Sequence, residues 1–136
     1  MEVLDAYAAG LIDGEGTITL SHNNKGDAYR TPVVSMTSTT RELVDLLHDE
    51  YGGSVRFHRT YHDRHNNSFI WSVRHDRALR MLERIAPHLR VPEKVTRANL
   101  VLNRYKAVTP RNGKYSDTQR ETKLEFEYLF FHPSTP

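Results

Sequence analysis

The chain has no cysteine, which excludes a disulfide framework and any thiolate-bound zinc site. It also lacks a run of about 18 apolar residues, the length a helix needs to cross a bilayer, so no membrane partner is expected. Positive charge is missing where a secretory leader would need it. The opening MEVLDAYAAG carries Glu2 and Asp5 but no lysine or arginine, and nothing like a cleavage site follows a longer apolar stretch. We expect no export and an intracellular location. There is no internal repeat, low-complexity tract or dividing linker, so the 136 residues read as a single domain.

What is present is unevenly distributed. Net charge is only +2 and the pI is near 9.0, a balance that favours a polyanionic partner without demanding one. Basic residues and histidines gather in VRFHRTYHDRHNN, SVRHDRALR and PRNGKYSDTQR, whereas acids gather at 42–50 and 121–127.

Periodicity gives the elements. Residues 3–13 read as a helix with Leu4, Tyr7 and Leu11 on one face and the small stripe Ala6, Ala9, Gly10 and Asp13 on another. TITLSH and PVVSMT alternate around a turn-rich HNNKGDAYR, predicting a hairpin. The next helix, through RELVDLLHDEY, has Thr39 and Glu42 at capping-box spacing and Gly52 to close it. SVRFHRT and FIWSVR predict a second hairpin. Helices follow near 76–87, from Pro92, and near 117–130, the last with Ser116 and Gln119 at capping-box spacing. The order is α, β, β, α, β, β, α, α, α, an α+β domain.

One stretch resists a purely structural account. In AAGLIDGEGTI the acids Asp13 and Glu15 fall at the carboxyl end of a helix, where the macrodipole disfavours anions. Gly14 permits a left-handed cap and Gly16 a direct turn into the strand, so Glu15 is projected from a tight corner. A divalent cation offsets that electrostatic cost. The flat stripe of Ala6, Ala9 and Gly10 invites close approach of another helix, and the obvious partner is a second copy. On pattern alone, a buried helix of small residues followed by a solvated glycine turn fits as well.

AAGLIDGEGTI resembles the signature of the LAGLIDADG homing endonucleases. LRVPEKVTRANLVL resembles the segment carrying that family's active-site lysine, here Lys94. The likeness spans roughly residues 4–107 and leaves a C-terminal loop and helix, 108–136. Ala8 stands where the motif usually has leucine, and Glu15 where it has its second aspartate. The resemblance implies an αββαββα fold with a curved, antiparallel four-stranded sheet and added C-terminal helices. It implies a homodimeric, site-specific double-stranded DNA endonuclease that uses Mg2+ on a long pseudo-palindromic site; Ca2+ is expected to support binding without cleavage. Glu15 from each subunit is expected to hold Mg2+ with the Gly14 carbonyl. Lys94 and Ser38 complete the catalytic set, and Ala6, Ala9, Gly10 and Asp13 form the dimer interface. The alternative on the same fold is a non-cleaving DNA-binding regulator or an intron RNA maturase.

In that fold one sheet face lies in the DNA major groove, with side chains at every second position facing the bases. If Ile18, Leu20, Val34, Met36, Val55, Phe57, Trp71 and Val73 face the core, then Thr17, Thr19, Ser21, Thr31, Ser35, Arg56, His58, Thr60, Ser72 and Arg74 face DNA. Asn23 and Arg30, with Asn24 and Lys25, extend the contact from the loop. A half-solvated sheet shows the same polar alternation. The histidines of HDRHNN lack the nearby cysteines or second ligand pair of a zinc site, and contact with the DNA backbone is the more useful expectation.

Overall fold

The computed structural model describes residues 2–59 and 67–133; Thr60, His62 and His65 lie outside the described residues. The chain runs α1 (Glu2–Glu15), β1 (Gly16–Ser21), β2 (Thr31–Ser38), α2 (Arg41–Tyr51), β3 (Ser54–His58), β4 (Ser68–Arg74), α3 (Asp76–Ile85), α4 (Pro92–Arg104) and α5 (Asp117–Phe131). Single 3-10 turns at Ala86–His88 and Lys106–Val108 flank α4. The strands form one antiparallel sheet in the order β1-β2-β4-β3, so β1 and β3 are its edges. This is the α+β order read from the sequence. No helix among the described residues is long and apolar enough to cross a membrane.

The helices cover one face of the sheet. Ile18, Val34, Met36, Trp71 and Val73 from the strands meet Leu47, Leu82, Ile85, Ala98 and Phe126 from the helices in one apolar cluster. Helix α3 turns Ala78, Leu79, Met81, Leu82 and Ile85 inward, the periodicity of a helix buried on one side. Pro92 occupies the start of α4. The α5 capping box forms as expected: Ser116 Oγ accepts from Gln119 N at 3.2 Å, and Gln119 Oε1 accepts from Ser116 N at 2.8 Å. Gly52 and Gly53 both take positive φ between α2 and β3. A Cβ on Gly53 would collide with the Ser72 carbonyl, so only glycine lets β3 lie against β4.

Four sequence expectations need correction. Gly14 is not a left-handed cap; α1 continues through it to Glu15, and β1 starts at the next residue. Gly16 is the constrained glycine, because a Cβ there would come within 2.8 Å of the Ile12 Cα. The Thr39–Glu42 capping box is absent; Thr40 is the N-cap, and its N–H is taken by Ser38 Oγ at 3.0 Å. Val55 and Phe57 share the inward register with Trp71 and Phe69 but are 38% and 54% exposed, because edge strand β3 extends past the helical cover. On α1 the buried stripe is Asp5, Ala8, Ala9 and Ile12, while Tyr7 is half exposed. The alanines let α1 sit close against β1, β2 and α3.

Candidate nucleic-acid interface and catalytic corner

Two motif acids that look equivalent in sequence have different surroundings. Asp13 is engaged inside the protomer: its carboxylate accepts from the backbone N–H of Arg90 at 2.8 Å and of Val91 at 3.1 Å. Those residues lead directly into Pro92, so Asp13 fixes where α4 begins. Glu15 is exposed at the last helical position and forms no hydrogen bond or ion pair among the described residues. Its carboxylate adds negative charge to the end of a helix that already carries the negative pole of the macrodipole.

Lys94 completes the corner. It is half-buried in the first turn of α4, and its Nζ donates to the Asp13 main-chain carbonyl at 2.6 Å. A donor-only cation is thereby held at the carboxyl end of α1, beside Gly14 and Glu15. Sheet register brings Ser38 to the same end, since Gly16 opposes Met36 and Ser38 lies two residues further along β2. The oxygen donors available there, the Glu15 carboxylate and the last α1 carbonyls, suit a hard divalent cation such as Mg2+. Among the described residues, no three His, Asp or Glu side chains of one chain converge on a common point.

Helix α1 is itself held by a buried polar cluster that sequence reasoning missed. Asp5 accepts from the Tyr51 hydroxyl at 2.8 Å and pairs with Arg84 Nη2 at 2.9 Å, while Arg84 also pairs with Glu50 and lies 4.7 Å over the Tyr51 ring. Burial acts to raise the Asp5 pKa, but the Tyr51 and Arg84 donors outweigh it and hold the carboxyl below its ordinary range. Burial and Asp5 together push the Tyr51 hydroxyl up.

The outer sheet face assembles most of the expected contact residues. Across the strands, Thr17, Ser35, Ser72 and Ser54 form one row; Thr19, Val33 and Arg74 form a second; Thr37, Ile70 and Arg56 form a third. Ser21 opposes Thr31, and His58 opposes Ser68. None of these positions is acidic. Thr37, Ser54, Ser68 and Ile70 were not anticipated, although register places them on this face; Val33 shares the register but is buried, and Ile70 hides in a run whose apolar neighbours face inward.

Other expected residues are occupied elsewhere. Ala9 is fully buried within the protomer, whereas Ala6 and Gly10 are exposed on the opposite side of α1. Arg30 is paired with Glu127 at 3.0 Å. Asn23 accepts from Thr31 Oγ1 at 3.0 Å, at the root of the β1–β2 loop. Arg97, absent from the expectations, donates to the Ile18 carbonyl at 2.9 Å and so ties edge strand β1 to α4.

No protein-family model matches the chain, and no curated protein matches it. Solved structures do. The homing endonuclease I-CvuI, in complex with its target in the presence of calcium, is similar over 96% of this chain and 80% of its own, with 20% identity and a TM-score of 0.70. I-TnaI, another homing endonuclease, is similar over 93% of this chain and 87% of its own, at 18% identity and a TM-score of 0.65. The LAGLIDADG homing endonuclease I-GzeII, in complex with a DNA target, gives 17% identity and a TM-score of 0.62 over 96% of this chain and 44% of its own.

The fold is that of the LAGLIDADG homing endonucleases. In this chain the stretch AAGLIDGEGTI runs from α1 into β1, with Glu15 the last residue of the helix.

Proposed function

We propose that this protein is a site-specific double-stranded DNA endonuclease that acts as a homodimer with Mg2+. The observation carrying this reading is the end of α1, where Glu15 is exposed and Lys94 is anchored on the Asp13 carbonyl, beside a sheet face whose charged side chains are, among the described residues, all basic. Solved neighbours on the same fold are complexed with DNA, in the presence of calcium or of magnesium.

Dimerisation is supported by the free side of α1. Val3, Tyr7, Gly10 and Gly14 lie on it at alternating spacings of four and three, with Ala6 beside them; Val3 is 87% and Tyr7 50% exposed. A Cβ on Gly10 or Gly14 would meet nothing within 4 Å in the protomer, so the chain's own packing does not require glycine there. Close approach by the α1 of a second copy does. That contact places two Glu15 carboxylates near one axis, and each protomer supplies half of the donor set.

Glu15 and the Gly14 carbonyl would hold Mg2+, which when bound supplies Lewis acidity at the scissile phosphate. Lys94, fixed by the Asp13 carbonyl, presents positive charge to the developing phosphate charge. Ser38 offers a hydroxyl at the same sheet end to orient water. Arg74 and Arg56 contact guanine edges or phosphates, and the Thr and Ser rows contact bases across the groove.

The test is cleavage of a randomised duplex library with Mg2+, with Ca2+, and with Glu15→Gln, with the cut ends sequenced. Enrichment of one pseudo-palindromic site, cut only by wild type with Mg2+, supports the reading. Enrichment by binding without cutting would replace it with a DNA-binding regulator, and preference for folded intron RNA over duplex would replace it with a maturase.

A further inference from the structure

The β1–β2 loop, residues 22–30, leaves the outer sheet face at the end remote from Glu15. Strand β1 is six residues long, a span of about 20 Å. Residues 22–28 are exposed, so an inward-packed core does not hold the loop. Its long-range anchors lead to the C-terminal helix and the segment before it. Glu127 of α5 is only 4% exposed and accepts from Arg30 twice, from the backbone N–H at 3.1 Å and from Nη1 at 3.0 Å. The Arg30 guanidinium also lies 5.2 Å over the Phe131 ring. Next to it, Tyr29 stacks on Tyr115 with centroids 4.2 Å apart.

The same clamp reaches the contact face. Arg30 precedes Thr31, whose hydroxyl donates to Asn23 and whose register partner is Ser21. We propose that Glu127 is a positioning residue for DNA recognition: by fixing Arg30 it sets the pose of the loop and of Asn23 and Thr31 over the outermost bases of each half-site. Arg30 is then a strut. A buried carboxylate that must satisfy both a backbone donor and a guanidinium tolerates few geometries, so it specifies position more than it adds stability. The loop's own Asn24–Asp27 hydrogen bonds, Asn24 N to Asp27 Oδ2 at 2.9 Å and Asp27 N to the Asn24 carbonyl at 3.1 Å, are local and do not set its pose relative to the sheet.

The inference rests on the endonuclease reading, and its test separates the two. Wild type, Glu127→Gln and Arg30→Met are compared as full-length chains in the same Mg2+ cleavage selection, read base by base, with amide exchange of residues 22–31 measured on the free proteins. Glutamine keeps the volume but sets an amide against one donor. Methionine keeps the contact with Phe131 and alters a side chain that is 37% exposed, so it remains informative if the first variant folds poorly. We expect both variants to lose about tenfold of the preference at the outermost bases, with the inner-base profile and cut position kept. Loop amides should exchange at least about tenfold faster while α1 and α3 are unchanged. Variant profiles that superimpose on wild type, or preference lost evenly at every position, overturn the positioning role. A wild type that enriches no sequence instead overturns the endonuclease reading, and the specificity role with it.

Discussion

The Lys94 ammonium is hydrogen-bonded to the Asp13 main-chain carbonyl at 2.6 Å, joining positions 81 residues apart. That carbonyl belongs to the last turn of α1, where helix carbonyls lack internal partners and a cation is favoured. The bond therefore stabilises the helix end and places the charge next to Glu15.

Lys94→Met should separate those roles. The methionine stem still packs, and the helix end regains solvent, so the urea midpoint should shift little. The cleavage rate should fall about 100-fold, the usual consequence of removing one charge-stabilising donor at a reacting centre, with DNA affinity nearly kept. Equal losses in binding and cleavage would assign Lys94 to general phosphate contact instead.

Asp13→Ala tests the second acid. Removing its carboxylate opens the exposed Arg90 and Val91 N–H groups to water, so the loss in stability should be modest, about 1 kcal/mol. Because those residues set the entry to α4, the cleavage rate should fall more than binding does. Denaturant unfolding with single-turnover kinetics reads both. A variant with wild-type stability would show that Asp13 does not organise the start of α4.

These two acids show how far the sequence carries. The strands were legible because apolar and polar residues alternate in TITLSH and FIWSVR, and the ends of α4 and α5 because Pro92 and Ser116–Gln119 act locally. Only the family resemblance separated Glu15 from Asp13, and it gave Asp13 to the dimer interface; that Asp13 instead accepts from the N–H groups of residues 90 and 91 lies beyond any local pattern. Ala6 and Ala9 are equally small, and only packing against β1, β2 and α3 decides which one faces inward. Arg30 looked like a free loop cation because its partner, Glu127, is 97 positions away.

Gly10→Leu should decouple folding from assembly. A helix-interior glycine costs roughly 0.8–1 kcal/mol relative to a good helix former, and the protomer leaves the side open. The isolated protomer should therefore be as stable as wild type or slightly more so. Leucine should nevertheless block close approach of a second α1, turning a dimer into a monomer by sedimentation and abolishing double-strand cleavage. A fully dimeric Gly10→Leu protein would move the interface away from this face.

Lys123 provides a pH signature. It is 1% exposed, donates to the Thr109 hydroxyl and lies 4.2 Å over the Tyr105 ring. Burial lowers its pKa from 10.5 to about 8, against the opposing pull of Glu127. Between those values the unfolded chain holds a proton that the folded chain has released, so this group makes stability rise with pH across that window and contributes no slope below it. Tyr105, raised to about 12 by burial, stays protonated throughout. Urea midpoints of wild type and Lys123→Met at intervals from pH 7 to 10.5 should differ most at pH 7, where the methionine variant is the more stable, and converge as pH rises. Parallel curves would mean that Lys123 titrates alike in both states and that its charge is fully compensated in the fold.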